Sequence, residues 1–102
     1  MATNERIIHS VIFRLKHEAG AQAEQQFLED GKTLLSAIPS VENFCVLRQV
    51  SPKNDYAFGF SMEFADEAAY QSYNEHPSHV AFVQERWETE VEAFLEIDYQ
   101  NL

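Results

Sequence analysis

From Tyr56 to Phe64 the chain alternates without a break: Tyr56, Phe58, Phe60, Met62 and Phe64 fall on one side, and Ala57, Gly59, Ser61 and Glu63 on the other. Successive side chains of a strand point to opposite faces, so this spacing predicts a strand with one aromatic face and one small-residue face. The aromatic face must be covered by helices. The small-residue face can take a close neighbour, and a second copy of the same chain would suit it.

The remaining elements follow from spacing and punctuation. Ile7 to Leu15 is rich in β-branched residues and reads as a strand, with Ile7, His9, Val11, Phe13 and Leu15 on one face. Its other face carries Ile8, Ser10, Ile12 and Arg14, so apolar residues occur on both sides, which a half-solvated strand does not need. Ala23, Phe27, Gly31, Leu34 and Ile38 keep helical spacing, and Pro39 ends that helix. Gly31 lies on the apolar stripe and has two readings: close packing against the sheet, or space left for a ligand. Val41 to Val50 reads as a second strand, and Ser51-Pro52-Lys53-Asn54-Asp55 as the turn of a hairpin with the alternating strand. Asp66 is a good N-cap for a helix over 67–75. His76-Pro77 breaks it, and Ser78 can cap a second segment in which His79, Val83, Arg86 and Trp87 share a face. A last strand, roughly 93–99, puts Leu95, Ile97 and Tyr99 on one side. The order β-α-β-β-α-β is that of a ferredoxin-like α+β fold: a four-stranded antiparallel sheet with helices on one face. Its bare apolar face seeks a partner.

With 102 residues, 1–102 are expected to form a single domain. Seventeen Asp and Glu against seven Lys and Arg leave a net charge of −10. Such a surface repels phosphate backbones and anionic lipid, so neither nucleic acid nor membrane is the expected partner. Cys45 is the single cysteine, so no intrachain disulfide forms, and its place in an apolar run reads as a buried, inert thiol. Glu5 and Arg6 interrupt Met1–Ile7 where a signal peptide needs its apolar run. No window reaches the roughly 18 apolar residues of a membrane helix. A cytoplasmic location is therefore expected.

At the helix break the sequence becomes recognisable. Tyr73-Asn74-Glu75-His76-Pro77-Ser78-His79 resembles the Y-x-x-H-P-x-H signature of the stress-responsive A/B barrel domain, a family of dimeric α+β barrels. The opening run His9 to Lys16 resembles the family's H-x-V-x-F-x-L-K pattern, Ile38-Pro39-Ser40-Val41 its I-P-x-V corner, and Ile97-Asp98-Tyr99 its closing strand. The resemblance implies a homodimer in which two sheets close one barrel. A plant polyketide-cyclase branch of that family works without a cofactor, through a histidine and a tyrosine corresponding here to His79 and Tyr73. This chain has Phe58 and Gly31 where that branch has a further histidine and a further tyrosine.

The candidate catalytic residues are accordingly His79, Tyr73 and His9. A histidine exchanges protons near neutral pH, and a phenol beside it can hold a substrate oxygen as charge develops there. Proton abstraction next to a carbonyl, followed by aldol-type closure, suits such a pair. His79 is expected to line a cavity between helices and sheet, within hydrogen-bond reach of Tyr73. Phe27, Phe58, Phe60 and Trp87 are the expected apolar lining or, alternatively, its filling. No metal or cofactor is expected: His76 and His79 straddle a proline, with only Glu75 close by, where zinc takes three or four protein ligands. His17, between Lys16 and Glu18, reads as a surface residue. Two functions stay open: binding of a small apolar molecule, or a cofactor-independent lyase or cyclase.

Overall fold

A computed structural model describes residues 5–102. The first four residues, part of the stretch read above against a signal peptide, lie outside the described residues. The elements are β1 (Ile7–Leu15), α1 (Gln22–Ser36), β2 (Glu42–Arg48), β3 (Phe58–Phe64), α2 (Glu67–Glu75), α3 (Pro77–Phe82), a π-helical turn (Val83–Trp87), the short α4 (Glu88–Glu90) and β4 (Val91–Tyr99). The strands form one sheet in the order β2-β3-β1-β4, every neighbouring pair antiparallel. This is the expected β-α-β-β-α-β fold, with its second helix broken into pieces.

Ile7, His9, Val11, Phe13 and Leu15 of β1 and Phe58, Phe60, Met62 and Phe64 of β3 are all buried against the helices. Phe13 is fully enclosed, its ring centroid 4.8 Å from that of Phe60 and 4.9 Å from that of Trp87. From α1 the buried residues are Phe27, Gly31 and Leu35. Leu34, expected on that stripe, is exposed, because the sheet contact tracks the i+4 step from Gly31 rather than i+3.

Elsewhere the local expectations need adjustment. β2 and β3 are shorter at their turn ends than read from sequence. A bulge between Glu42 and Cys45, with Asn43 at φ 51°, interrupts the pairing at the other end of β2. Cys45 is exposed rather than buried: it pairs with Ser61 and lies on the sheet face without helices. Asp66 caps α2 through Ala69 N–H at 2.8 Å, as expected. At the next helix His76, not Ser78, is the cap: its Nδ1 accepts from Ser78 N–H at 3.1 Å, and Pro77 takes the first helical position.

The helix-free face carries Ile8 and Ile12, flanked by Leu47 of β2 and by Leu95, Ile97 and Tyr99 of β4. Leu47, Leu95 and Tyr99 are each about half exposed. Arg6, bonded to Glu63 and Glu42, and Arg14, bonded to Glu92, sit at its ends. Among the described residues no helix is long and apolar enough to cross a membrane.

Candidate functional site

Between the helices and the β1–β4 half of the sheet lies a cavity of about 240 Å³. His9, Val11, Phe60 and Met62 form its floor, Leu35, Tyr73, His79, Phe82, Val83 and Trp87 its helical walls, and Phe94 and Glu96 of β4 its remaining side. The helix break positions the walls. Pro77 and the His76 cap restart the chain so that His79 faces inward. The π turn, in which Glu88 N–H donates to Val83 O five residues back, brings Val83 and Trp87 to the same wall. Arg86 ties that turn to α1, bonding Asp30 at 2.6 Å and Glu90 at 2.5 Å. His17 joins the same cluster through Glu90 at 2.7 Å and is half-buried, not a free surface side chain.

All three candidate catalytic residues meet at this cavity. The rings of Tyr73 and His79 lie 4.4 Å apart, and those of His9 and Tyr73 6.2 Å. His79 does not take its hydrogen bond from Tyr73. Its Nδ1 lies 3.1 Å from the Asn74 carbonyl oxygen, which can only accept, so Nδ1 carries the proton and Nε2 keeps a free lone pair. Burial lowers the His79 pKa, with His9 lowering it further, against raising contributions from the Asn74 carbonyl and Glu96. Burial, and then the charge of Glu96, push the Tyr73 phenol well above its ordinary value, so it stays a neutral donor. Phe60 and Trp87 line the cavity. Phe27 and Phe58 instead pack in the core behind it.

Sequence reasoning missed three polar groups. Asp98 stands directly across from His9 in the β1–β4 register, with its Oδ1 at 2.5 Å from His9 Nδ1. Tyr70 donates to the other Asp98 oxygen at 2.9 Å. Glu96, opposite Val11, reaches the cavity from the same face of β4. The available signal was a carboxylate at alternate positions of an apolar strand, on the side opposite Leu95, Ile97 and Tyr99. Among the described residues no three His, Cys, Asp or Glu side chains are grouped to hold a metal ion.

No curated protein matches the sequence significantly. Solved structures do. A dabb family protein with a ferredoxin-like fold from Mesorhizobium loti is 61% identical with a TM-score of 0.94, covering 95% of this chain and 97% of that one. A dimeric ferredoxin-like protein of unknown function from Thermobifida fusca is 18% identical with a TM-score of 0.78, covering 94% and 91%. A hydroxynitrile lyase from Passiflora edulis is 16% identical with a TM-score of 0.82, covering 96% and 94%. The last two likenesses show the fold alone. The model of the stress responsive A/B barrel domain matches residues 7–101, so with its motifs, its fold and its Mesorhizobium relative the chain belongs to the stress-responsive A/B barrel domain family.

Proposed function

We propose that this protein is a homodimer that binds a small, largely apolar molecule in the cavity between sheet and helices. The observation that carries the binding reading is an apolar cavity whose polar wall is left unsatisfied. The hydrogen bonds around it run from His79 to Asn74 and among His9, Asp98 and Tyr70; among the described residues none of them uses His79 Nε2 or the Tyr73 hydroxyl. Both atoms keep accessible surface, and Ser40 Oγ alone is a buried side-chain polar atom without a partner among the described residues, so the two stand free to pair with a ligand's polar end. Trp87 is the chain's single tryptophan and lines the cavity, so its fluorescence reports occupancy. Titration with small neutral aromatic alcohols should change that emission saturably. A linear response across all such probes would refute the binding reading.

The dimer rests on the helix-free face. Its centre is small and largely apolar, with Gly59 between Ile12 and Leu47 and Ser61 between Ser10 and Cys45, and its ends carry the Arg6 and Arg14 ion pairs. An apolar centre with a charged rim is the anatomy of a protein interface. The Thermobifida neighbour, described as dimeric, supports the same reading. Light scattering at micromolar concentration should report twice the 11.8 kDa chain mass, and Leu95→Asp should lower it toward one. A stable wild-type monomer would count against the dimer.

A second reading, a cofactor-independent lyase or cyclase, is favoured by the state of His79. A neutral imidazole with a free Nε2 is a general base, and the adjacent neutral phenol can donate to the oxygen of the enolate formed when a C–H proton moves to that nitrogen. The Passiflora lyase shows that this fold accommodates an enzyme.

A further inference from the structure

The cavity holds a second imidazole, and its surroundings differ from those of His79. His9 is 4% exposed and lines the cavity from the sheet. Its Nδ1 sits 2.5 Å from an Asp98 carboxylate oxygen. Two lone pairs at that separation would repel, so Nδ1 carries a proton and donates it. Tyr70 fills the other carboxylate oxygen at 2.9 Å, and its own oxygen lies 3.1 Å from His9 Nδ1. The register of β1 against β4 places Asp98 opposite His9, so the contact is built into the sheet. With Nδ1 committed to Asp98, the ring nitrogen left for a ligand is Nε2.

We propose that Asp98, clamped by Tyr70, is a specificity-determining residue: it holds the His9 proton on Nδ1 and leaves Nε2 as the acceptor, making the cavity a site for compact apolar molecules that donate a hydroxyl. His79 is locked in the same tautomer by the Asn74 carbonyl, so both imidazoles accept through Nε2. Glu96, on the rim, accepts as well. Beside these three acceptors, the donors of the lining are the Tyr73 hydroxyl and the Trp87 indole N–H. A ligand hydroxyl can pair with the acceptors, whereas a ketone or ether uses none of the three, and a carboxylate additionally faces Glu96. This inference rests on the cavity being a ligand site.

The test separates the tautomer from the ligand. At pH 8 nitrogen-15 NMR of the wild type should show His9 protonated on Nδ1 and not on Nε2. In Asp98→Asn the Tyr70 hydroxyl donates to the amide oxygen, which turns the amide NH₂ toward His9 Nδ1 and moves the imidazole proton to Nε2. Trp87 fluorescence should show the wild type preferring 3-phenylpropan-1-ol over 4-phenylbutan-2-one by about five- to tenfold, one hydrogen bond's worth of discrimination. That preference should collapse in Asp98→Asn. Asp98→Ala, which removes the acceptor and supplies no donor, should lose the Nδ1–H preference and serves if the asparagine variant does not fold. A wild-type His9 protonated on Nε2 at pH 8, or a tautomer indifferent to both substitutions, would overturn the proposal. If the tautomer moves as expected but neither probe binds, the ligand site fails and the assigned ligand class with it. If both probes bind without discrimination, the ligand class alone fails.

Discussion

Replacing His79 by alanine is expected to lower any turnover by about 10²–10⁴-fold, the range for loss of a general base. Binding of a hydroxyl-bearing probe should weaken by about tenfold through the lost acceptor. The fold should survive. His79 is half-buried, and its one hydrogen bond goes to the carbonyl of the exposed Asn74, which water can serve instead. Far-UV circular dichroism and light scattering should therefore match the wild type while Trp87 fluorescence no longer saturates at the same probe concentrations. The pH dependence has a definite sign. Burial favours neutral His79, so its folded pKa lies below the ordinary value of about 6.5. Binding and stability contributed by the neutral form are complete above about pH 6.5 and are lost as pH falls through the lowered value. His9 and Glu96 are the charged or titratable neighbours acting on this residue, in opposite directions. An alanine variant that binds and reacts like the wild type would remove His79 from the site, and an acid limb centred above pH 7 would contradict its burial.

Gly31→Ala carries the largest expected effect on stability. A Cβ at this position would stand 2.6 Å and 2.9 Å from two ring carbons of Phe60, and 3.4 Å from Phe82. Phe60 is 1% exposed and hemmed in by Phe13, Phe44 and Trp87, so its ring can yield only toward the cavity that it lines. Overpacking of this kind costs about 1–3 kcal/mol, and the helix-propensity gain of roughly 1 kcal/mol offsets part of it. A net loss of up to about 2 kcal/mol is expected, a fall in Tm of up to roughly 10 °C for a domain of this length. The packing reading of Gly31 thus prevails, and the ligand reading returns indirectly: the displaced ring should shrink the cavity and weaken probe binding. A melt at or above the wild-type temperature would show that the helix shifts away from the sheet instead.

Much of the fold was legible because its signals are local. The alternation of β1 and β3, the Asp66 cap, the Pro39 stop and the His76-Pro77 break each depend on residues within one or two turns of one another, and each appears in the structure where spacing placed it. The family motifs extend that legibility to topology. Tyr73 and His79 are singled out by the family resemblance; placing His9 and His79 toward one cavity rests on the face of β1 and the restart of the chain after the His76-Pro77 break.

What sequence spacing by itself determined, then, was which face of each element is apolar and where each element stops. Which copy of two similar side chains is buried, whether the single thiol is hidden and which acid meets which base were decided only in three dimensions. Leu35 rather than Leu34 is buried because the packed edge of α1 runs Phe27, Gly31, Leu35 in steps of four, one edge of a broad stripe. Cys45 is exposed because β2 turns that side to the helix-free face, a property of the whole sheet and not of the apolar run around it. Asp98 meets His9 across 89 positions of chain, through a strand register that no local pattern encodes. That register is set where β4 closes against β1, and with it the hydrogen-bonding character of the cavity.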